Sequence, residues 1–199
     1  MPIDVGPVRT TLIELIAVAF GLMSVWSMKK ESILAFPSGI INTGIYVYIC
    51  FIQKLYALAG INVFFVLMSV YGWINWSKGS EDEILRISKC TRKQLILNLG
   101  AIPLFFGILW MILSRLTDSN VPGWDAITTT FYIIGMWFLA WKKIENWWLW
   151  IAGDTISIFL FGFEKLYFSS LQYFVFTIIA VFGYLEWKKK LISNESTVK

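Results

Sequence analysis

Lys54-Leu55-Tyr56 ends a short break between two long apolar stretches, and the same tripeptide stands 111 residues later as Lys165-Leu166-Tyr167. On both sides of it the register holds without a gap. Tyr71-Gly72 returns as Phe182-Gly183, Trp26 as Trp137, Trp76 as Trp187, Phe20 as Phe131 and Glu14 as Asp125. Leu12–Lys78 and Gly123–Lys189 share 14 identities in 67 positions. Apolar bias alone produces some identities. An ungapped register with an identical tripeptide at the same turn points to a duplication.

Seven stretches are long enough to cross a hydrocarbon core, which takes about 20 apolar residues of helix. They are Leu12–Met28, Ile33–Phe51, Leu55–Trp76, Leu95–Leu116, Trp124–Trp141, Trp147–Phe163 and Leu166–Trp187. In lipid the backbone must satisfy its own hydrogen bonds, and segments of this length do so as helices. Three spans fall in each copy and Leu95–Leu116 stands between them. With one linker span, the second copy starts on the same side as the first. The copies are then parallel, an architecture that places substrate near the midplane where the halves meet.

The expected fold is therefore an all-α membrane protein, with seven transmembrane helices in a 3+1+3 parallel repeat. Residues 1–78 form the first three-helix repeat, 79–121 a cytoplasmic loop and linker helix, 122–190 the second repeat, and 191–199 a polar tail expected to fray. Ser77–Gln94, with Glu81, Asp82, Glu83 and five basic residues, is expected to be a solvated loop holding at most a short surface helix.

Composition supports lipid as the outer solvent. Of 199 residues, 57% are hydrophobic and 15% charged, with a mean hydropathy of +0.66. A soluble domain of this size has too much surface to hide so many apolar side chains. A secreted disulfide scaffold, a disordered chain and a nucleic-acid binder are excluded. The absence of histidine removes His-ligated metal or haem and His-based nucleophilic triads. The two cysteines, Cys50 and Cys90, lie in an apolar run and a polar loop and suggest no disulfide framework. Met1–Phe20 runs into the first span with no clear small-residue cleavage site, and reads as a retained span.

The net charge of +4 is an orientation signal. Arg9, Lys54, Arg115 and Lys165 fall on one side of the expected topology and the other 13 basic residues on the opposite side. The positive-inside rule puts the amino terminus outside and the carboxyl terminus in the cytoplasm.

Candidate site residues are those lipid would not tolerate. In the sixth span, Trp147, Trp150 and Asp154 fall within about 60° of one another around a helix, with Ser157 beside them. Asp154 lies roughly 10 Å deeper than Trp147. A carboxylate at that depth costs at least ~2.5–3.5 kcal/mol on insertion scales, so it should face a protein cavity and have a partner. Asn42, Asn62 and Gln172 sit at similar depth in spans two, three and seven. Such amides either bind ligand or join helices. Thr128, Thr129 and Thr130 are expected to bond their own helix backbone. Glu14 and Asp125 suit helix amino termini. Lys54 and Lys165 are expected to snorkel to headgroups, and Trp76 and Trp187 to be interface anchors.

Glu145-Asn146-Trp147 with Trp150 and Asp154, Leu55-Tyr56-Ala57, Tyr71-Gly72-Trp73 with Trp76, and Pro122-Gly123-Trp124-Asp125 together resemble motifs of the PnuC vitamin transporters. The resemblance runs from about Glu14 to Trp187. It implies a fold similar to the SWEET sugar transporters and a homotrimer in the bacterial inner membrane. It also implies import of an unphosphorylated vitamin by facilitated diffusion, with phosphorylation in the cytoplasm as the trap. Nicotinamide riboside is the best-known substrate, and relatives carry thiamine or deoxynucleosides. The family's motif tryptophans fall on Trp147 and Trp150, its Asn-or-Asp position on Asp154, and its third-span amide, often Gln, on Asn62. Nicotinamide riboside and thiamine are aromatic cations, which indole faces favour by about 0.5–2 kcal/mol.

No cofactor, metal or nucleic-acid partner is expected. The rival readings are an enzyme, a retinal receptor, a channel, a sugar carrier and a non-transporting scaffold. The enzyme lacks the usual histidine base. The receptor would need a Schiff-base lysine inside Leu166–Trp187, which has none. A channel would show a charged ring or filter.

Overall fold

The structure, a computed structural model, describes residues 2–5, 8–52, 55–78, 85–117, 119–163, 165 and 167–197. Seven helices follow one another: α1 (Leu12–Lys29), α2 (Ala35–Ile52), α3 (Tyr56–Ser77), α4 (Arg92–Leu116), α5 (Pro122–Ala140), α6 (Asn146–Phe163) and α7 (Tyr167–Thr197). A short antiparallel hairpin, β1 (Pro2–Val5) with β2 (Val8–Thr11), precedes α1 and adds to the helical fold expected.

Five helices, α1, α2, α3, α4 and α7, are long and apolar enough to cross a membrane. Helices α5 and α6 match two more expected spans in position, but their composition is more polar. Asp125 and Thr128–Thr130 lie on α5, and Asn146, three tryptophans and Asp154 on α6. Many of those polar side chains are buried, including Thr128, Thr130, Asn146 and Asp154.

The helices pack in sequence as α1 on α2 on α3 and as α5 on α6 on α7, and the two sets meet where α1 touches α7 and α3 touches α5. Six helices thus close a ring, and α4 packs outside it against α5. Two boundaries differ from expectation by three residues or more, and the others shift by at most two. Helix α4 begins at Arg92, three residues early, because Thr91 and Gln94 form a reciprocal capping box. Helix α7 continues through the expected tail to Thr197 because Leu191 is buried in the same core cluster as Ile87 and Ile144.

One end of the ring, where α1, α3 and α5 finish, is sealed by contacts that recur at the 111-residue offset. Trp76 Nε1 donates to the Leu139 carbonyl at 3.2 Å, and Trp187 Nε1 to the Met28 carbonyl at 3.1 Å. Phe36 meets Trp76 edge-on at 4.9 Å, and Trp147 meets Trp187 edge-on at 5.5 Å. Glu31 and Lys142, also 111 apart, both have positive φ (60° and 49°) and join at 2.7 Å. Trp187 is fully buried, so it is a keystone between α7 and α1 and not the interface anchor expected.

Burial pushes the Glu31 carboxyl up, but hydrogen bonds from Lys142 and Lys190 outweigh that and hold it below its usual value. Its contribution to stability is therefore present above the unfolded-state pKa and is lost as pH falls through the lowered one.

The expected solvated loop is partly docked. Residues 79–84, with Glu81, Asp82 and Glu83, lie outside the described residues, as does Lys54. From Ile87 the chain runs along the α5–α6 turn. Ser88 N donates to the Lys142 carbonyl at 3.1 Å, and Ile144 N to the Ser88 carbonyl at 3.0 Å. Cys90 N donates to Glu145 Oε1 at 2.9 Å. Burial and the Glu145 carboxylate push the Cys90 thiol up to about 12.

Thr128 and Thr130 bond carbonyls of their own helix, as expected. Asp125 accepts from the Ser119 hydroxyl, which pins the turn before α5.

Candidate functional site

The ring encloses a cavity of about 360 Å³. Trp147, Trp150, Asp154, Asn42, Asn62 and Gln172 come from four helices, and all six line it. A 3.6-residue period puts Trp147, Trp150 and Asp154 on one side of α6, and the packing of α6 between α5 and α7 turns that side inward.

Asp154 is 4% exposed, and its Oδ1 accepts from the Tyr132 hydroxyl at 3.0 Å. The same hydroxyl lies 3.1 Å from Ser157 Oγ. The α5–α6 approach requires glycine at 153, because a Cβ there would stand 2.6 Å from the Tyr132 ring. That ring stacks on Trp150 with centroids 5.2 Å apart and planes at 26°. The result is a flat aromatic wall with an acidic edge. A carboxyl group has two oxygens and several acceptor sites, so the tyrosine bond leaves capacity for a ligand.

Trp147 is almost completely buried, at 1% exposure, wedged edge-on against Trp187. A Cβ at Gly183 would overlap its ring, so α7 can pass Trp147 only as glycine. The indole nitrogens of Trp147 and Trp150 are both buried without a hydrogen-bond partner. Such an orphan donor costs ~1–3 kcal/mol. Trp148 is 56% exposed and packs on Tyr184 at 4.9 Å, as a membrane-interface residue would.

The amides divide their capacity. Asn42 Nδ2 donates across to the Ala17 carbonyl at 2.6 Å, and Asn62 Nδ2 to the Leu58 carbonyl of its own helix at 2.9 Å. Both therefore join or brace helices while also lining the cavity. Among the described lining residues there is no lysine or arginine, and Asp154 is the only ionisable carboxyl.

Sequence reasoning did not name Tyr132, Tyr46, Tyr173, Gly39 or Ser69, which also line the cavity. Tyr132 stands one helical turn past Thr128 and had a legible polar tip. Its role depends on the α5–α6 pairing, which no periodicity within one helix reveals.

Comparison with known proteins gives a consistent picture. The family profile described as "Nicotinamide mononucleotide transporter" matches residues 11–189. The nicotinamide riboside transporter PnuC of Escherichia coli (strain K12) is 27% identical over 213 residues, covering 94% of this chain and 89% of that protein. The protein of the same name from Neisseria mucosa is 25% identical over 187 residues, covering 87% and 71%. The crystal structure of the vitamin B3 transporter PnuC shares the fold, with a TM-score of 0.71 at 23% identity over 91% of this chain and 82% of that one.

Proposed function

This chain belongs to the nicotinamide mononucleotide transporter family, and on that basis we propose that it carries an unphosphorylated vitamin, nicotinamide riboside, across a bacterial inner membrane. One observation carries the choice of riboside over mononucleotide. The cavity offers Asp154 and no basic side chain among its described lining residues. A phosphate monoester at neutral pH bears about −1.5 to −2 charges, and this lining would repel it. A positively charged pyridinium ring meets a carboxylate and a stacked indole face, both of which favour it. The relatives named as nicotinamide riboside transporters support the same substrate.

In this reading Trp150, Trp147, Asp154, Asn42, Asn62 and Gln172 contact the ligand, and transport runs down the ligand's gradient with phosphorylation in the cytoplasm as the trap. The seven helices span the membrane as a SWEET-like 3+1+3 parallel repeat over residues 1–78, 79–121 and 122–190, with 191–199 as the tail. The paired hydrogen bonds of Trp76 and Trp187 at the 111-residue offset support that repeat. The amino terminus is outside, the carboxyl terminus cytoplasmic, and the assembly a homotrimer. A cysteine placed at Ser193 should react with impermeant reagent only after the cells are opened. Labelling in intact cells overturns the orientation.

Uptake by the purified protein in liposomes tests the function. Nicotinamide riboside should equilibrate without an imposed ion gradient, and the mononucleotide and glucose should not enter. Thiamine or deoxynucleoside uptake in its place moves the substrate within the family, glucose uptake makes it a sugar carrier, and no uptake at all makes it a scaffold. Accumulation driven by a proton or sodium gradient overturns facilitated diffusion. Asp154→Asn should penalise the cationic riboside more than a neutral analogue of the same shape, as read from their binding constants. Equal penalties would mean that Asp154 acts only as a hydrogen-bonding group.

A further inference from the structure

Positions related by the 111-residue offset carry opposite sizes inside the cavity. Trp150 corresponds to Gly39, Tyr132 to Gly21, and Gly153 to Asn42. On the second-half side, the indole of Trp150 and the ring of Tyr132 stack and fill the wall. Gly135 lies behind the indole, where an added Cβ would stand in ordinary contact, 3.4 Å from Trp150 Nε1. On the first-half side the equivalent aromatic positions are glycines. The counterparts of Gly135 and Ala180 are Ser24 and Ser69, and both of their hydroxyls approach Gly39. A Cβ on Gly39 would lie 3.1 Å from Ser24 Oγ and 3.5 Å from Ser69 Oγ.

These three residues line the cavity. Ser24 Oγ donates to the Ala35 carbonyl at 2.7 Å. Ser69 is 2% exposed, lines the cavity and has no hydrogen-bond partner among the described residues.

We infer that the notch over Gly39, where the other half of the chain has the Trp150 indole, is the berth of the substrate's planar ring. The ring takes the place of the missing side chain and faces the Trp150–Tyr132 wall, and the Ser69 hydroxyl reads a polar group on its edge. Gly39 is then a specificity-determining residue: any side chain there occupies the ring's own volume. The inference rests on the carrier reading above and adds to it where in the cavity the ring lies.

Binding of nicotinamide riboside, thiamine and thymidine to the purified protein tests it, with each variant's thermal unfolding measured alongside. For whichever ligand the wild type binds, Gly39→Ala should weaken binding several-fold and Gly39→Leu more than tenfold. Gly44→Ala, with nothing within 4 Å of the added carbon, should leave binding unchanged. Ser69→Ala should weaken binding about threefold or more with unfolding unaltered. If Gly39→Leu does not fold, Gly39→Ala and Ser69→Ala decide the matter between them. Wild-type affinity in Gly39→Leu, or in both smaller variants, overturns the berth and leaves the carrier reading intact. Wild-type protein that binds none of the three ligands overturns both.

Discussion

Gly183→Val is expected to destabilise the fold by about 1–3 kcal/mol or more, the usual cost of forcing extra carbons into a packed interior. The reason lies in the Trp147 ring, which already occupies the position a Cβ would take. Neither partner has room to yield. Trp147 is 1% exposed and held edge-on by Trp187, which is itself fully buried and hydrogen-bonded to the Met28 carbonyl. Pushing α7 away from α6 therefore also strains the α7–α1 contact that seals one end of the ring. A lower thermal midpoint in detergent, with loss of monodisperse protein, is the expected measurement. Gly107→Ala is the control. Nothing lies within 4 Å of its added carbon, and alanine inside a helix is favoured over glycine by roughly 0.5–1 kcal/mol. An unchanged midpoint for Gly183→Val would show that α6 and α7 are not packed as described.

Trp150→Ala should weaken nicotinamide riboside binding by about 1–3 kcal/mol, the range for removing one ring from a stack, or roughly 5- to 150-fold in Kd. The indole is one face of the cavity and also supports Tyr132, which in turn donates to Asp154. Its removal loosens the acidic edge along with the flat wall. Trp148→Ala, about 200° around the helix, should change binding little, because that side chain is 56% exposed and packs on Tyr184. Equal losses at the two positions, read by calorimetry, would assign both tryptophans to folding and remove Trp150 from the site.

Much of this was legible in the chain because lipid imposes simple rules. A helix in hydrocarbon must be long and apolar, so the helix positions could be read from runs of side chains, and all their ends but the last of α7 follow within a few residues. A carboxylate that lipid would reject had to face protein, and Asp154 does. The side of α6 that carries Trp147, Trp150 and Asp154 follows from 3.6 residues per turn and needs no partner to define it.

What periodicity along one helix could not supply is which helix stands opposite. That Tyr132 meets Asp154, that Ser69 and Ser24 converge on Gly39, and that Trp187 reaches Met28 all depend on ring closure between segments up to 159 residues apart. Long-range packing also carried α7 past Trp187, because the buried apolar surface of Leu191 outweighed a polar local composition. It turned Trp187 from an expected interface residue into a buried one as well. Sequence determined where the helices run and which side chains lipid would refuse, since each depends on local hydropathy and helical pitch. Tertiary structure alone decided which of those side chains share a cavity and how their sizes complement one another, since that depends on atoms meeting across helices.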